Sequence, residues 1–283
     1  MNHDKSQFNT GHSPLWNPLH SNLWSPFSGS AIAGGGAEFS PLDIAGLVGA
    51  WDGSDTAKLW QDTAGTTAIT ASGQSVARVD DMSGNGYHII QATAANRPTY
   101  TDDANGRYLL FDGVNDVLRV ANFDMHSTDE CTIVVSQHKV SDTYVGYLVD
   151  MGYDFGASAG AAIASPAYST GAGYSAISRG TETALAHNAP SSPAPDTCVL
   201  ALLAKIATDT LTLRRNSAQI ASAAANHGTG NYSAATLSVG DAIGSGVAFN
   251  GRVFRLAIYA RQLTDSELSL VEKWAGSPAG VTL

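Results

Sequence analysis

From about residue 47 onward, short apolar runs alternate with clusters of Gly, Asn, Asp and Ser. Residues 107–111 and 117–120 flank one such cluster, and 131–139 alternates. There Cys131, Ile133 and Val135 fall on one face, with Thr132, Val134 and Ser136 on the other. Runs at 144–151, 199–204, 210–214, 218–223 and 236–239 continue the series, and 253–259 places Phe254, Leu256 and Ile258 inward. Three blocks between the runs, 80–86, 96–100 and 111–116, combine residues that cap turns or tolerate positive φ. Many short strands joined by such turns predict an all-β chain, a two-sheet antiparallel β-sandwich. Residues 152–197 carry little pattern and include Pro190, Pro193 and Pro195. That is long for a structureless connection, so short strands and one functional or interface loop are expected within it.

One helix is legible after the last strand. Thr264 and Glu267 have the spacing of a capping box, and Leu263 and Leu268 occupy the staple positions. Leu268, Val271 and Ala275 share a face, and Gly276 and Pro278 stop the helix. Residues 1–45 read differently. Leu15-Trp16-Asn17-Pro18-Leu19 is echoed by Leu23-Trp24-Ser25-Pro26-Phe27, and Gly34-Gly35-Gly36 follows as a hinge. Proline keeps this arm extended while its large apolar side chains need a surface, either the chain's own body or a partner. Two units are expected: an arm over 1–45 and a β-sandwich body over 46–283.

Composition narrows the function. The 283 residues carry a formal net charge of −10, which disfavours a nucleic-acid surface because phosphate neutralisation needs clustered cations. The only adjacent basic pair, Arg214-Arg215, precedes Asn216-Ser217 and reads as a hairpin tip. Twenty Asp against five Glu favour capped turns over helices. Cys131 and Cys198 lie in different apolar runs, where buried free thiols are favoured over a bridge. No apolar run approaches the length of a membrane span, and residues 1–16 lack the pattern of a secretory signal.

The words Trp51-Asp52, Leu59-Trp60-Gln61-Asp62, the block from Asp81 to His88, Asn96-Arg97-Pro98, and Phe111-Asp112-Gly113 with Asp116 occur in that order. With the closing strand over 251–259 and the helix start over 263–268, they resemble laminin-G-like, concanavalin A-like jelly-roll domains. The resemblance spans residues 47–276 and is nearest to domains of bacteriophage and prophage structural proteins. It implies a sandwich that binds glycans or proteins, on fibres, spikes or head decorations.

Asp112, Asn115 and Asp116 offer the hard oxygens Ca²⁺ prefers, which some members of this family hold at loop tips; the competing reading is a capped turn. Asp81, Ser83 and Asn85 start like an EF-hand loop, but position twelve is Ala92. The paired glutamates of concanavalin A-like glucanases have no counterpart among the five Glu. Gly156-Ala157-Ser158-Ala159-Gly160 matches a nucleophile elbow without the helix that must follow it. Tyr144, Tyr147, Tyr153, Tyr168 and Tyr174 are candidates for glycan or subunit contact.

The sequence thus predicts a non-enzymatic virion protein, exposed on the particle surface. Its arm (Leu15, Trp16, Pro18, Leu19, Leu23, Trp24, Pro26, Phe27) would anchor it to capsid or tail proteins. Its body would contact surfaces or host glycan, in a homo-oligomer such as a trimer. The alternatives are a glycan-active lyase or hydrolase on the same fold, or a bacterial surface lectin.

Overall fold

The computed structural model describes residues 38–152, 159–167, 172–188, 192–242 and 246–283. Contacts divide the chain into Met1–Glu38 and Phe39–Leu283, so residues 39–45, grouped above with the arm, belong to the body. Ser40 and Asp43 close a capping box around a short 3₁₀ turn, and Tyr259 donates its hydroxyl to the Pro41 carbonyl. The arm residues singled out above lie outside the described residues.

In chain order the strands are β1 (Leu47–Asp52), β2 (Leu59–Trp60), β3 (Arg78–Val79), β4 (Ile89–Ile90), β5 (Thr99–Asp103) and β6 (Gly106–Asp112). There follow β7 (Leu118–Phe123), β8 (Glu130–Lys139), β9 (Tyr147–Met151), β10 (Gly160–Ala164), β11 (Tyr174–Arg179) and β12 (Thr183–Asn188). The series ends with β13 (Asp196–Lys205), β14 (Thr210–Arg215), β15 (Ala218–Ala223), β16 (Ala235–Val239), β17 (Asn250–Tyr259) and helix α1 (Asp265–Gly276). One sheet runs β15-β14-β13-β8-β17-β6-β5. The first half of β17 pairs with β6 and the second half with β1. The other sheet runs β12-β11-β10-β9-β16-β7-β4-β3-β2. All these pairings are antiparallel, and the two-sheet sandwich with one short C-terminal helix is the architecture the turn pattern predicts. Strands β10 to β12 occupy the stretch that reads as patternless, because Gly, Ala and Ser fill them in place of large apolar residues.

The main core lies between the sheets, where Trp51, Leu109, Phe111, Phe123, Ile133 and Leu237 pack together. A second core sits outside the first sheet, where Val134, Ala201 and Ala257 meet Leu268, Val271 and Trp274 of α1. Strand β8 is therefore buried on both faces, which is why its alternation carries Val134 opposite Ile133. Cys131 and Cys198 are both buried and free.

The helix begins as the sequence predicts. Thr264 Oγ1 accepts from the Glu267 amide, and the Glu267 carboxylate accepts from the Thr264 amide. Arg261 adds a bidentate clamp on Glu267, which together with these bonds pulls that carboxyl down to about 2. The β14–β15 tip is also as expected, with Asn216 and Ser217 at φ of 49° and 64°. Strand β17 departs from expectation. Its pairing with β8 is irregular between Val253 and Leu256, so Val253, Leu256 and Ile258 face the core while Phe254 does not. A bulge of this kind re-aims side chains next to it.

Candidate functional site

Cross-strand register brings a polar row onto the outer face of the first sheet. Thr99 opposes Leu110, Leu110 opposes Arg252, Arg252 opposes His138, and His138 opposes Thr197. Directly opposed residues share a face, so five neighbouring strands deliver these side chains to one surface. The bulge beside them adds Phe254 to the same place.

Two walls rise from this floor. One is the tip of the β5–β6 hairpin, Ala104-Asn105-Gly106; the other is the turn after α1, Ser277 to Gly280. Between them lies a groove of about 460 Å³, lined by Asn105, His138, Thr197, Arg252 and Phe254. That volume falls within the range of small-ligand sites. Two glycines let the parts meet. Gly106 has a φ of +102°, and a Cβ there would sit 2.9 Å from the Pro278 carbonyl of the opposite wall. At Gly251 a Cβ would fall 2.1 Å from the His138 carbonyl, so only glycine allows β17 to lie against β8 beside the groove.

The polar groups are held in defined states. His138 Nδ1 and Thr197 Oγ1 lie 2.7 Å apart. Burial pushes the His138 pKa down, and the nearby Arg252 charge pushes it further, so the ring is neutral at pH 7. The Arg252 guanidinium lies 4.8 Å from the centre of the Tyr108 ring, a cation–π geometry. Tyr108 in turn donates to Asp103 at 2.8 Å and packs at a tilt against Phe254, ring centres 5.6 Å apart. Asp103 also accepts from the Asn105 amide at 2.7 Å, which fixes the hairpin tip. These bonds, led by that from Tyr108, hold the Asp103 carboxyl below its usual range.

A second depression of about 390 Å³ shares Pro278 with the groove and is lined by Asp52, Ser54, Asp55, Arg107 and Arg255. Its polar groups already have partners within the chain. Arg255 holds Asp52 at 2.7 Å and the Trp274 carbonyl at 2.8 Å, pinning the end of α1 to β17. Arg107 pairs with Asp102.

The residues predicted from sequence are dispersed. Tyr147 and Tyr174 are fully buried, which removes them as surface contacts: both are swallowed by packing, and the Tyr174 hydroxyl bonds Asp196 inside the sandwich. Tyr144 is 83% exposed in the β8–β9 connection. Tyr153 and Tyr168 lie outside the described residues, as does most of the elbow-like segment.

In the 112–116 loop, Asp112 Oδ1 accepts from the Val114 and Asn115 amides, and buried Asp116 accepts from the Asp112 amide. Burial raises the Asp116 pKa to about 6. These bonds account for the loop as a capped turn. Among the described residues no cluster of three or more His, Cys, Asp or Glu has the arrangement of a metal site. Asp81 likewise serves its own turn, accepting from the Ala50, Ser83 and Tyr87 amides.

Sequence reasoning did not select Asn105, His138, Thr197 or Arg252 as a site. The signal available was strand alternation, which puts His138 and Arg252 opposite core positions; their convergence depends on register between distant strands.

No protein-family model and no curated protein matches the sequence. Solved structures do. Trypanosoma rangeli sialidase superposes with a TM-score of 0.54 at 13% identity, over 83% of this chain and 33% of that one. Domain 4 of an extracellular arabinanase from Geobacillus stearothermophilus, in complex with arabinotriose, gives 0.53 at 14% identity, over 80% of this chain and 98% of that one. The binding domain of Paraclostridial Mosquitocidal Protein 1 gives 0.56 at 12% identity, over 83% and 53%. The chain thus spans about a third of the sialidase chains it matches. These likenesses overturn the expectation of a non-enzymatic protein, which rested on a body without a recognisable catalytic set, the glutamate pair included. Sialidase and arabinanase chains carry this fold, so a missing pair does not set the chain apart from glycan-active proteins. At these identities the likeness shows the fold: an antiparallel β-sandwich found within larger glycosidase chains and as a separate binding domain.

Proposed function

We propose that the body is a glycan-recognising β-sandwich of a glycan-active protein, and that it holds its ligand in the groove between the β5–β6 tip and the turn after α1. The observation that carries this is the convergence of Asn105, His138, Thr197 and Arg252 from four separate stretches of chain on one open groove of small-ligand size. Hydroxyl-rich ligands need donors and acceptors fixed in place, and these are fixed by the sheet register and by the hairpin tip. Support also comes from the arabinanase domain, which matches over nearly its full length and whose structure contains arabinotriose. The virion-anchoring role expected of the N-terminal arm draws no support from the structural neighbours, so the glycan-active reading replaces it.

Titrating the chain with arabino-oligosaccharides and with acidic oligosaccharides by calorimetry tests the reading. At least one should bind, and Asn105→Ala with Thr197→Val should weaken it about tenfold or more, as loss of two fixed hydrogen bonds requires. Absence of binding across both panels overturns it. Reducing-end release in the same samples tells whether the chain also cleaves what it binds.

A further inference from the structure

Ten arginines occur in the chain, all among the described residues. Seven contact a carboxylate: Arg78, Arg107, Arg119, Arg214, Arg215, Arg255 and Arg261. Arg97 donates to three backbone carbonyls, and Arg179 donates to the Thr183 hydroxyl. The Arg252 side chain alone makes neither a hydrogen bond nor an ion pair among the described residues. It is half-buried in the groove floor, and its guanidinium lies over the Tyr108 ring. Asp103, whose carboxyl feels the Arg252 charge, is occupied by the Tyr108 hydroxyl and the Asn105 amide. A guanidinium stacked on a ring keeps the in-plane directions of its N–H groups, and that fork matches a carboxylate in two parallel hydrogen bonds. Half-burial weakens the competing water, which makes such a pair stronger than on an open surface.

We infer that Arg252 is the recognition point for a sugar carboxylate, so that the groove prefers acidic glycans, uronates or sialates, over their neutral counterparts. The inference rests on the glycan reading of the groove and narrows it. The chain's net charge of −10 sharpens the expectation. Long-range attraction does not favour an anionic ligand here, so the preference must come from this one local contact. It should weaken with salt by no more than a single ion pair would.

Calorimetry with two matched pairs tests it: oligogalacturonate against its methyl ester, and sialyllactose against lactose. Each is titrated into the native chain, Arg252→Gln and Arg252→Lys, with thermal unfolding confirming that the variants fold. The first pair reports a uronate carboxylate and the second a sialate carboxylate. In at least one pair the acidic member should bind the native chain about tenfold tighter or more. Arg252→Gln should bring the two members to parity, and Arg252→Lys should keep part of the preference, because it retains the charge and loses the fork. Equal binding within both pairs, or a preference that survives in Arg252→Gln, overturns the carboxylate assignment and leaves the glycan reading standing. Binding of no member of either pair overturns the assignment; if the arabino-oligosaccharides also fail, the glycan reading falls with it.

Discussion

Asp116 shows how one buried carboxyl ties a turn to the sandwich and makes stability depend on pH. Its folded pKa near 6 lies above the ordinary carboxylate value because burial penalises the anion. Between about pH 4 and 6 the folded chain keeps the proton while the unfolded chain loses it. The contribution is therefore complete at low pH and is lost as pH rises through 6. Asp116→Asn should abolish that segment of the profile. Relative to the variant, the native chain should lose about 1–3 kcal/mol between pH 4 and pH 7, measured by denaturant titration across pH. A parallel pair of profiles would contradict the burial account. A second residue-scale expectation concerns His138. Because Arg252 is one cause of its lowered pKa, Arg252→Gln should raise that pKa, which histidine proton shifts followed against pH would report. An unchanged midpoint would place the guanidinium too far from the ring to matter.

At the scale of elements, the attachment of α1 to the sheet depends on a buried carboxylate. Glu272 is fully buried and receives Arg214 Nε at 3.1 Å and the Ser217 hydroxyl at 2.7 Å. The β14–β15 hairpin thereby grips the helix whose following turn, Ser277 to Gly280, forms one wall of the groove. Arg214→Met should cost about 3–5 kcal/mol by leaving the acid buried without its cation, and chemical denaturation measures it. A loss below about 1 kcal/mol would show that the clamp is relieved by water. The helix itself was fully legible in the sequence, because Thr264, Glu267, Leu263 and Leu268 encode it through contacts a few residues apart. Strand β8 was legible for the same reason. The outward direction of Phe254 was not, since the bulge that re-aims it arises from pairing β17 with two strands at once. The buried fates of Tyr147 and Tyr174 were hidden likewise: Tyr174 lies in a stretch that looks loop-like in composition and Tyr147 opens an apolar run, yet β9 and β11 are both flanked by strands on either side in their sheet.

At the scale of the whole molecule, the sandwich brings together residues distant in sequence. Asn105, His138, Thr197 and Arg252 are separated along the chain and adjacent only because β6, β17, β8 and β13 lie side by side. That is why the fold could be read from turns and alternation while the site could not. The turn-rich loops with the most conspicuous Asp and Asn residues spend them on their own backbones, and the groove is built from sparser, unremarkable positions. The location of bound sugar tests the account most directly. Backbone amide shifts of the full chain should be recorded while titrating the tightest-binding oligosaccharide of the panels above. Residues 104–106, 138, 197, 252, 277, 279 and 280 should form the perturbed set. Perturbation centred instead on the exposed Tyr144 connection or on the outer face of the second sheet would contradict the assignment of the groove.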